Sequence, residues 1–290
     1  MTTPAPSTPS AQPAAADADG TANLRIDTSV PHPARRYDFL LGGKDNFAPD
    51  RESARQLIAA FPAVRTAALE NRRFLGRVVE YLTAEAGVRQ FLDIGTGIPT
   101  SPNVHEIAQA IAPDARVVYV DNDPMVMVHA RALLTGNTPD STAYIEADIR
   151  NPDTILDSPE LHQTLDFTKP IALLLIAVLH FLEDSDQPYK AVSQLLDALP
   201  PGSYVALSHV TFDALPDEVR HSLTALADPA AGHGPFRART RGEVAQFFNG
   251  VDLLEPGLVS IVEWLPEREP RPQTSCAAEA MAYGAVGRLR

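Results

Sequence analysis

Three acidic residues end three short apolar segments at nearly equal spacing along the chain. Asp93 follows QFL, Asp121 ends ARVVYVD, and Asp148 ends TAYIEAD. They are separated by 28 residues (121 minus 93) and 27 residues (148 minus 121), which suits one strand, one helix and the next strand each time. Ligands of open parallel sheets bind beyond the carboxyl ends of the strands. We therefore expect the three carboxylates to surround one crevice.

The segment FLDIGTGIPT, residues 91–100, places two glycines directly after the first of these acids. Gly95 and Gly97 allow the backbone to approach a ligand closely. A dinucleotide-binding turn of the form G-x-G-x-x-G would need a third glycine where Thr100 stands. Such a turn serves either a dinucleotide or S-adenosylmethionine.

The acids favour S-adenosylmethionine. Asp121 is expected for both ligands, because an acid at this position accepts hydrogen bonds from ribose hydroxyls. Asp93 discriminates between them, since a carboxylate beside the turn would repel a pyrophosphate but attract the ammonium group of a methionine moiety. Asp148 can accept a hydrogen bond from the exocyclic amine of adenine.

S-adenosylmethionine donates a methyl group to an acceptor molecule. This transfer needs a base only if the acceptor must lose a proton. His180 and His209 follow the fourth and fifth predicted strands and could serve, and Tyr37 is a weaker candidate. Each histidine is also explained as a structural residue. No set of His, Asp and Glu residues has the spacing of a metal site, so we expect no bound metal.

The composition argues against several partners. A net charge of −13 disfavours nucleic acid, which usually requires a basic face. The one dense basic cluster, Arg237, Arg239 and Arg241, is expected to be a solvated loop, with an anion-binding substrate lid as the alternative.

The longest apolar run, IALLLIAVL, is too short to span a membrane. A single cysteine fits a reducing compartment, and we expect a cytoplasmic protein with a small-molecule acceptor.

The elements that must position these residues follow a simple order. Residues 1–30 contain few large apolar side chains and are expected to be disordered. Residues 34–87 show helical periodicity, with Asp50 and Thr66 as candidate helix caps. Strands and helices then alternate, as in a parallel sheet wound with helices on both faces. The fourth strand is IALLLIAVL and the fifth is SYVALSH.

The C-terminal part continues this pattern. Residues 211–239 are interpreted as an irregular insertion at a strand end, where substrate contacts often lie. Thr240 and Glu243 form a capping box for the next helix. GLVSIVEWL and MAYGAVGRL are predicted to be the last two strands.

Several motifs together resemble a family of S-adenosylmethionine-dependent class I methyltransferases common in actinomycetes, whose substrates are mostly unassigned. The matching segments are ARRYDFLLGGKDNFAPDR, FLDIGTGIPTSPNVHE, ARVVYVDNDP, EADIRNP, LLLIAVLHFL and PPGSYVALSH, and the resemblance runs from about Arg35 to Arg290. It implies an α/β, Rossmann-like fold with a mostly parallel seven-stranded sheet, helices on both faces and an antiparallel last strand, preceded by helices that cover the cofactor.

The resemblance also implies binding roles for particular residues. Asp93, Gly95 and Gly97 would hold the methionine end of S-adenosylmethionine, Asp121 would hold the ribose with Asn122 beside it, and Asp148 with Ile149 would hold the adenine. The implied organisation is a tail at 1–30, a helical lid segment at 31–88 and the methyltransferase domain at 89–290.

Two alternatives stay open at this stage. A non-catalytic, S-adenosylmethionine-binding regulatory protein is one, because no residue is an unmistakable catalyst. A nicotinamide-dependent oxidoreductase is the other, although Asp93 and Thr100 argue against it. The acceptor, the methylated atom and the oligomeric state are left open by the sequence.

Overall fold

The computed structural model describes residues 26–133, 141–228, 231–268 and 275–290. The tail predicted for residues 1–30 lies for the most part outside the described residues. One central sheet organises the rest, with the strand order β3-β2-β1-β4-β5-β8-β6 and with β7 paired to β8 at one side. The strands are β1 Gln90–Ile94, β2 Arg116–Asp121, β3 Thr142–Glu146, β4 Ala172–Ile176, β5 Tyr204–Val210, β6 Val251–Leu253, β7 Val259–Ser260 and β8 Ala282–Leu289.

The predicted class I topology is confirmed, with one difference in strand number. Strands β1 to β5 pair in parallel, and β8 runs antiparallel to β5. The sheet contains eight strands rather than seven, because the two-residue β7 adds a short pairing to β8. The strand order reverses between β1 and β4, which opens a crevice at the carboxyl ends of these two strands.

Helices cover both faces of the sheet. Three of them precede β1, as α1 Pro33–Leu41, α2 Ala48–Ala60 and α3 Val64–Ala84. The others are α4 Val104–Ile111, α5 Pro124–Leu133, α6 Pro152–Leu156, α7 Pro159–Thr164, α8 Pro188–Asp197, α9 Asp217–Ala227, α10 Arg241–Ala245 and α11 Ala277–Ala280. The predicted Thr240–Glu243 capping box begins α10.

The two helix caps predicted in the N-terminal segment are wrong. Asp50 is the third residue of α2 rather than its cap, and it accepts a hydrogen bond from the Phe47 amide at 2.8 Å. Thr66 lies inside α3, which begins two residues earlier. In both places a helix begins before the predicted residue, since Pro49 fits the first turn of α2 and Val64 is buried at the start of α3.

The core lies on both faces because side chains alternate along buried strands. Leu92 and Leu173 belong to one apolar layer, while Phe91 and Leu174 belong to the other. The second layer is completed by the apolar stripe of α3, as the sequence predicted: Phe74, Leu75, Val78, Val79 and Leu82 are buried. Helix α3 is thereby fixed against the sheet, with its N-terminal half near the crevice.

The predicted strand GLVSIVEWL is mostly a compact turn. Only Val259 and Ser260 pair with β8, and the chain then folds inward so that Trp264 is fully buried. Arg77 from α3 satisfies the carbonyls that leave the sheet, donating from Nε to the oxygen of Trp264 at 2.9 Å and from Nη2 to that of Ile261 at 2.6 Å. The strand β6, Val251–Leu253, was not predicted.

The segment predicted as an irregular insertion, residues 211–239, contains helix α9. Leu215 and Leu223 pack in a third apolar cluster together with Leu40 and Phe61 of the N-terminal segment. The insertion is therefore joined to the N-terminal segment by apolar burial.

We expect Phe74→Ala to lower the free energy of unfolding by about 3–5 kcal/mol, because it removes a fully buried ring that packs edge-on against Trp264 at a centroid distance of 5.6 Å. Urea unfolding followed by the fluorescence of Trp264, the single tryptophan, measures the change. Leu69→Ala, at a 47% exposed position of the same helix, is the control and should change stability little. Equal effects of the two substitutions would contradict the assigned packing.

Candidate active site

The crevice holds a cavity of about 340 Å³ at the carboxyl ends of β1, β2 and β4. All seven residues predicted to bind the cofactor line it, together with residues of α1 and α3. These seven are Asp93, Gly95, Gly97, Asp121, Asn122, Asp148 and Ile149. The structure thus brings together side chains that are up to 56 residues apart (149 minus 93) in the sequence.

The glycine turn is shaped for close approach by a ligand. Gly95 and Gly97 have φ angles of +76° and +68°, a region that other residues rarely adopt. A Cβ atom at residue 95 would lie 2.4 Å from Val178 Cγ2, so the position also requires glycine for space. The turn is fixed by Asp121, whose Oδ2 accepts a hydrogen bond from the Gly97 amide at 2.7 Å.

The three acids differ in their electrostatic environment. Burial raises the pKa of Asp93 to about 6, although Thr96 Oγ1 donates a hydrogen bond to it at 2.9 Å. Burial also raises the pKa of Asp121, against the hydrogen bonds from the amides of Asp123 and Gly97. Burial opposes ionisation of Asp148 as well, but hydrogen bonds from Arg150 and Asn122 outweigh it and lower its pKa. The two innermost carboxylates are therefore the ones that a cationic ligand would stabilise.

The N-terminal helices are tied to the strand ends around the cavity. His32 Nδ1 and Arg35 Nε lie 3.0 and 3.4 Å from Asp123 Oδ2, just beyond β2. From α3, Arg72 Nη2 donates to the carbonyl oxygens of Thr100 and Pro102 at 2.6 and 2.7 Å. These contacts fix α1 and α3 as one wall of the cavity.

A second cavity of about 120 Å³ adjoins the first. The two share a wall of six residues, namely Pro33, Tyr37, Asn71, Ala177, His180 and Phe181. Beyond this wall the second cavity is bounded mainly by apolar side chains of α1, α2, α3 and α9. Two ligands could therefore lie side by side and meet next to these six residues.

Comparison with known proteins decides the family. A family model described as S-adenosyl methyltransferase matches residues 19–290. The chain belongs to the S-adenosyl methyltransferase family. It is an S-adenosylmethionine-dependent enzyme, and S-adenosylmethionine is its cofactor.

Two solved structures are similar over most of the methyltransferase. One is a protein of the DUF574 family from Streptomyces avermitilis, with 45% identity and a TM-score of 0.85, covering 92% of this chain and 100% of that one. The other is a candidate methyltransferase from Thermobifida fusca, with 39% identity and a TM-score of 0.83, covering 91% of this chain and 97% of that one. Among curated proteins, no match to this chain is found.

His180 lies where the two cavities of the methyltransferase meet. The residue is only 4% exposed, and its Nδ1 atom has no hydrogen-bond partner among the described residues. Burial lowers the pKa of His180 well below its ordinary value, and the neighbouring His209 and Arg36 lower it further. The imidazole is therefore neutral at physiological pH.

The other two base candidates are engaged by the protein. His209 Nδ1 lies 2.8 Å from the carbonyl oxygen of Val210, and its Nε2 lies 3.0 Å from Arg239 Nη1. The Tyr37 hydroxyl donates to the carbonyl oxygen of Ala68 at 2.9 Å and accepts from Asn71 Nδ2 at 3.0 Å. Neither arrangement leaves a free atom for proton transfer, so the structure favours structural roles for both.

The predicted solvated basic loop is wrong for Arg239, whereas Arg237 is half-buried and Arg241 is exposed. Arg239 is 1% exposed and donates to the carbonyl oxygens of Leu179 and Leu182 and to Asp184. Arg237 also pairs with Asp184, at 2.9 Å. Arg241 donates to the carbonyl oxygen of Leu258. The three guanidinium groups therefore connect loops that are distant in the sequence, because Arg239 and Arg241 donate to backbone carbonyls and Arg237 pairs with acidic side chains.

Sequence reasoning missed several residues of the site. Asn71 and Arg72 lie about one turn before Phe74, the first residue of the apolar stripe of α3. Asn71, three residues before Phe74, is on the same face of the helix as the stripe. A buried amide on an apolar helix face was the available signal. Arg36 and His32 gave no such signal, because their partners lie far away in the sequence.

Within the parts of the chain that the structure describes, no helix is both long and apolar enough to cross a membrane. The same described residues contain no group of three or more His, Cys, Asp and Glu side chains arranged to hold a metal ion.

We expect Asp93→Asn to stabilise the cofactor-free protein at pH 7.5 by roughly 1–3 kcal/mol. The folded-state pKa of Asp93, about 6, lies above its ordinary value of 3.8, so the folded protein holds this proton more tightly. The ionised carboxyl therefore costs stability, and this cost is present above pH 6 and is lost as the pH falls towards 4.

Urea unfolding at pH 7.5 and at pH 5 measures this effect, and the gain should be smaller at pH 5. Asp114→Asn, at an acid whose side chain is 76% exposed, is the control and should show no pH-dependent difference. A gain of equal size at both pH values would show that burial does not raise the pKa of Asp93.

Proposed function

We propose that this methyltransferase transfers the methyl group to a small molecule held in the second cavity. The observation that carries the proposal is the shared wall between two cavities of different character. The larger is lined by the acids and glycines at the strand ends, and the smaller mainly by apolar side chains. A cofactor and an acceptor bound there would meet at His180, Asn71 and Tyr37.

The residues of the first cavity suit S-adenosylmethionine. We assign Asp93, Gly95 and Gly97 to its methionine end, because a close backbone turn and a buried carboxylate match an amino-acid group. We assign Asp121 and Asn122 to the ribose hydroxyls. Asp148 and Ile149, at the β3 end, are assigned to the adenine by a carboxylate acceptor and an apolar contact. When bound, the cofactor supplies a methyl group activated by a positively charged sulfur.

The protein contributes charge and alignment. Asp93 and Asp121 are buried acids whose ionised forms lack a full counter-charge, so a cationic ligand beside them would be stabilised. The same burial keeps water from the reacting atoms, and the fixed wall of α1 and α3 sets the distance between the two ligands. Of the three base candidates, we retain only His180 as a residue that contacts the acceptor.

The N-terminal segment, residues 31–88, is assigned as the lid of the cofactor cavity. Pro31, Ala34 and Tyr37 line that cavity. His32 and Arg35 contact Asp123, which follows β2. A bound cofactor would add contacts between this segment and the strand ends. Because α3 is fixed against the sheet, residues 31–50 are the part of the segment that should open less often when the cofactor is present.

A small-molecule acceptor also fits the surface charge better than a nucleic acid does. The chain carries a net charge of −13. Its one dense basic cluster, Arg237, Arg239 and Arg241, is engaged by Asp184, Glu243 and backbone carbonyls. A phosphate backbone would meet repulsion without a compensating basic face.

We expect Asp121→Ala to weaken binding of S-adenosylhomocysteine by about 10-fold to 150-fold, which corresponds to roughly 1.5–3 kcal/mol for the loss of charge-assisted hydrogen bonds to ribose. Calorimetry with the purified protein measures this, and circular dichroism checks that the variant is folded. Asp114→Ala removes an equal charge at an exposed position and is the control. Unchanged affinity in a folded Asp121→Ala would remove the ribose assignment.

We expect hydrogen exchange in residues 31–50 to slow when S-adenosylhomocysteine is added, because the lid then opens less often. Mass spectrometry of peptides from the full chain measures the rates with and without ligand. Helix α8, which packs on the opposite face of the sheet through Val192 and Leu195, is the internal control and should be unaffected. Exchange in residues 31–50 that is indifferent to bound ligand would show that the segment is not a lid.

A further inference from the structure

The size of the second cavity limits what it can hold. Its volume is about 120 Å³. An apolar cavity of about 150 Å³ in a protein core is known to take one benzene molecule. The second cavity therefore suits a ligand of about one six-membered ring.

The walls of the second cavity are flat and apolar. Phe181, Phe212 and Phe236 contribute aromatic rings, and Leu40 and Val64 contribute aliphatic surface. The rings of Phe212 and Phe236 are nearly parallel, with an interplanar angle of 24° and a centroid distance of 6.2 Å. Aromatic side chains pair well with another ring in stacked or edge-on contact, which favours an aromatic ligand over a flexible chain.

The charge around the second cavity disfavours a cationic acceptor. None of the described residues that line it is an Asp or a Glu. Arg36 lines it and is buried, with Nη1 donating to the carbonyl oxygen of His233 at 2.7 Å. Burial lowers the pKa of Arg36 to about 10, so the group still carries its positive charge at neutral pH. An ammonium group would find a like charge and no carboxylate partner.

The histidines of the second cavity do not supply a charge either. Burial lowers the pKa values of His180, His209 and His233, which leaves all three neutral. A neutral ligand therefore enters without an unpaired charge. An anion would have only Arg36, whose positive charge already interacts with Asp50 and whose Nη1 already donates to Ser53 and to the carbonyl oxygen of His233.

One polar atom in the shared wall lacks a partner. His180 Nδ1 is buried without a hydrogen bond among the described residues. The other polar groups there are paired with each other: Asn71 Oδ1 accepts from Ser208 Oγ at 2.6 Å, and Asn71 Nδ2 donates to the hydroxyl of Tyr37. A neutral imidazole keeps one ring nitrogen as a hydrogen-bond acceptor, so a ligand that donates one hydrogen bond to His180 would be favoured.

We propose that the acceptor is an uncharged, single-ring aromatic alcohol of the phenol class, bound in the second cavity with its hydroxyl donating to the imidazole of His180. This inference rests on the proposed function. In the reaction, the hydroxyl oxygen bonds to the methyl carbon, the bond from that carbon to sulfur breaks with its electron pair remaining on sulfur, and the hydroxyl proton passes to His180. The products are an aryl methyl ether and S-adenosylhomocysteine.

A set of four ring compounds tests the class of acceptor. Phenol is the expected ligand, benzylamine adds a positive charge, benzoate adds a negative charge, and 2-naphthol adds a second ring. Binding to the full chain saturated with S-adenosylhomocysteine is measured by calorimetry. Phenol should bind at least 10-fold more tightly than each of the others, and with S-adenosylmethionine it should be converted to methyl phenyl ether.

The results overturn the proposal in distinct ways. Tighter binding of benzylamine would contradict the charge argument, tighter binding of benzoate would make Arg36 an acceptor contact, and tighter binding of 2-naphthol would contradict the size argument. If S-adenosylhomocysteine binds but phenol is neither bound nor methylated, the phenol class is wrong while the proposed function stands. If the Asp121→Ala comparison also fails, the proposed cofactor assignment fails with it.

Two variants of His180 test its contact with the hydroxyl. His180→Leu should lower the rate of phenol methylation at least 10-fold while leaving the affinity for S-adenosylhomocysteine within about twofold. Toluene, which has the ring without the hydroxyl, should bind the variant as well as it binds the wild type. His180→Asn, which can accept the hydrogen bond but not the proton, should bind phenol more tightly than His180→Leu and should still methylate it slowly. Full activity in His180→Leu would remove the proposed hydrogen bond.

Discussion

The hydrogen bond from the Gly97 amide to Asp121 is the contact on which the site depends. It joins the turn after β1 to the end of β2, at 2.7 Å. The amides of Gly95 and Thr96 still pair with the carbonyl oxygen of Val120 in β2. At Gly97, where φ is again positive, the carboxylate of Asp121 accepts the next amide of the turn. With the turn fixed, Asp93 lies at the floor of the cavity and α1 closes over it, through Ala34 and Tyr37.

The acids that make the site are costly to keep in the folded protein. Burial raises the pKa values of both Asp93 and Asp121, and the two carboxyl groups repel each other. Their environment is compensated in part by Thr96 and by backbone amides, but not by a direct ion pair of the kind that Arg150 gives to Asp148. The buried negative charge lies where we propose that the positively charged cofactor binds, and charge placed in advance of the ligand is a typical form of preorganisation.

Much of the fold followed from the sequence because the strands are short, apolar and regularly spaced. The positions of Asp93, Asp121 and Asp148 at one edge followed from that spacing alone. The binding roles of these residues came from chemistry and from the resemblance, and they remain proposals. His180 was only one of three candidates. The sequence does not show that Arg239 forms a hydrogen bond with His209 or that Asn71 donates one to the hydroxyl of Tyr37.

Contacts between distant segments decided the parts that were predicted wrongly. The apolar alternation in GLVSIVEWL is typical of a strand, yet the segment turns inward. Arg77 donates hydrogen bonds to its carbonyl oxygens, and α3 provides an apolar surface for Trp264. Helix α9 was overlooked because prolines and glycines flank it. The three arginines at 237–241 have the composition of a solvated loop, but their acceptors come from residues 179–184 and 258.

The two cavities share only six lining residues, and this has a consequence for how this protein can diversify. The far side of the second cavity is formed by Leu57 of α2, Leu223 and Leu226 of α9 and Phe236, and none of these lines the first cavity. Substitutions there can reshape the smaller compartment without touching the glycine turn or the three acids. A gene duplicate could therefore acquire a new acceptor by drift in α2 and α9 alone, and engineered libraries aimed at altered selectivity should concentrate their diversity on those two helices.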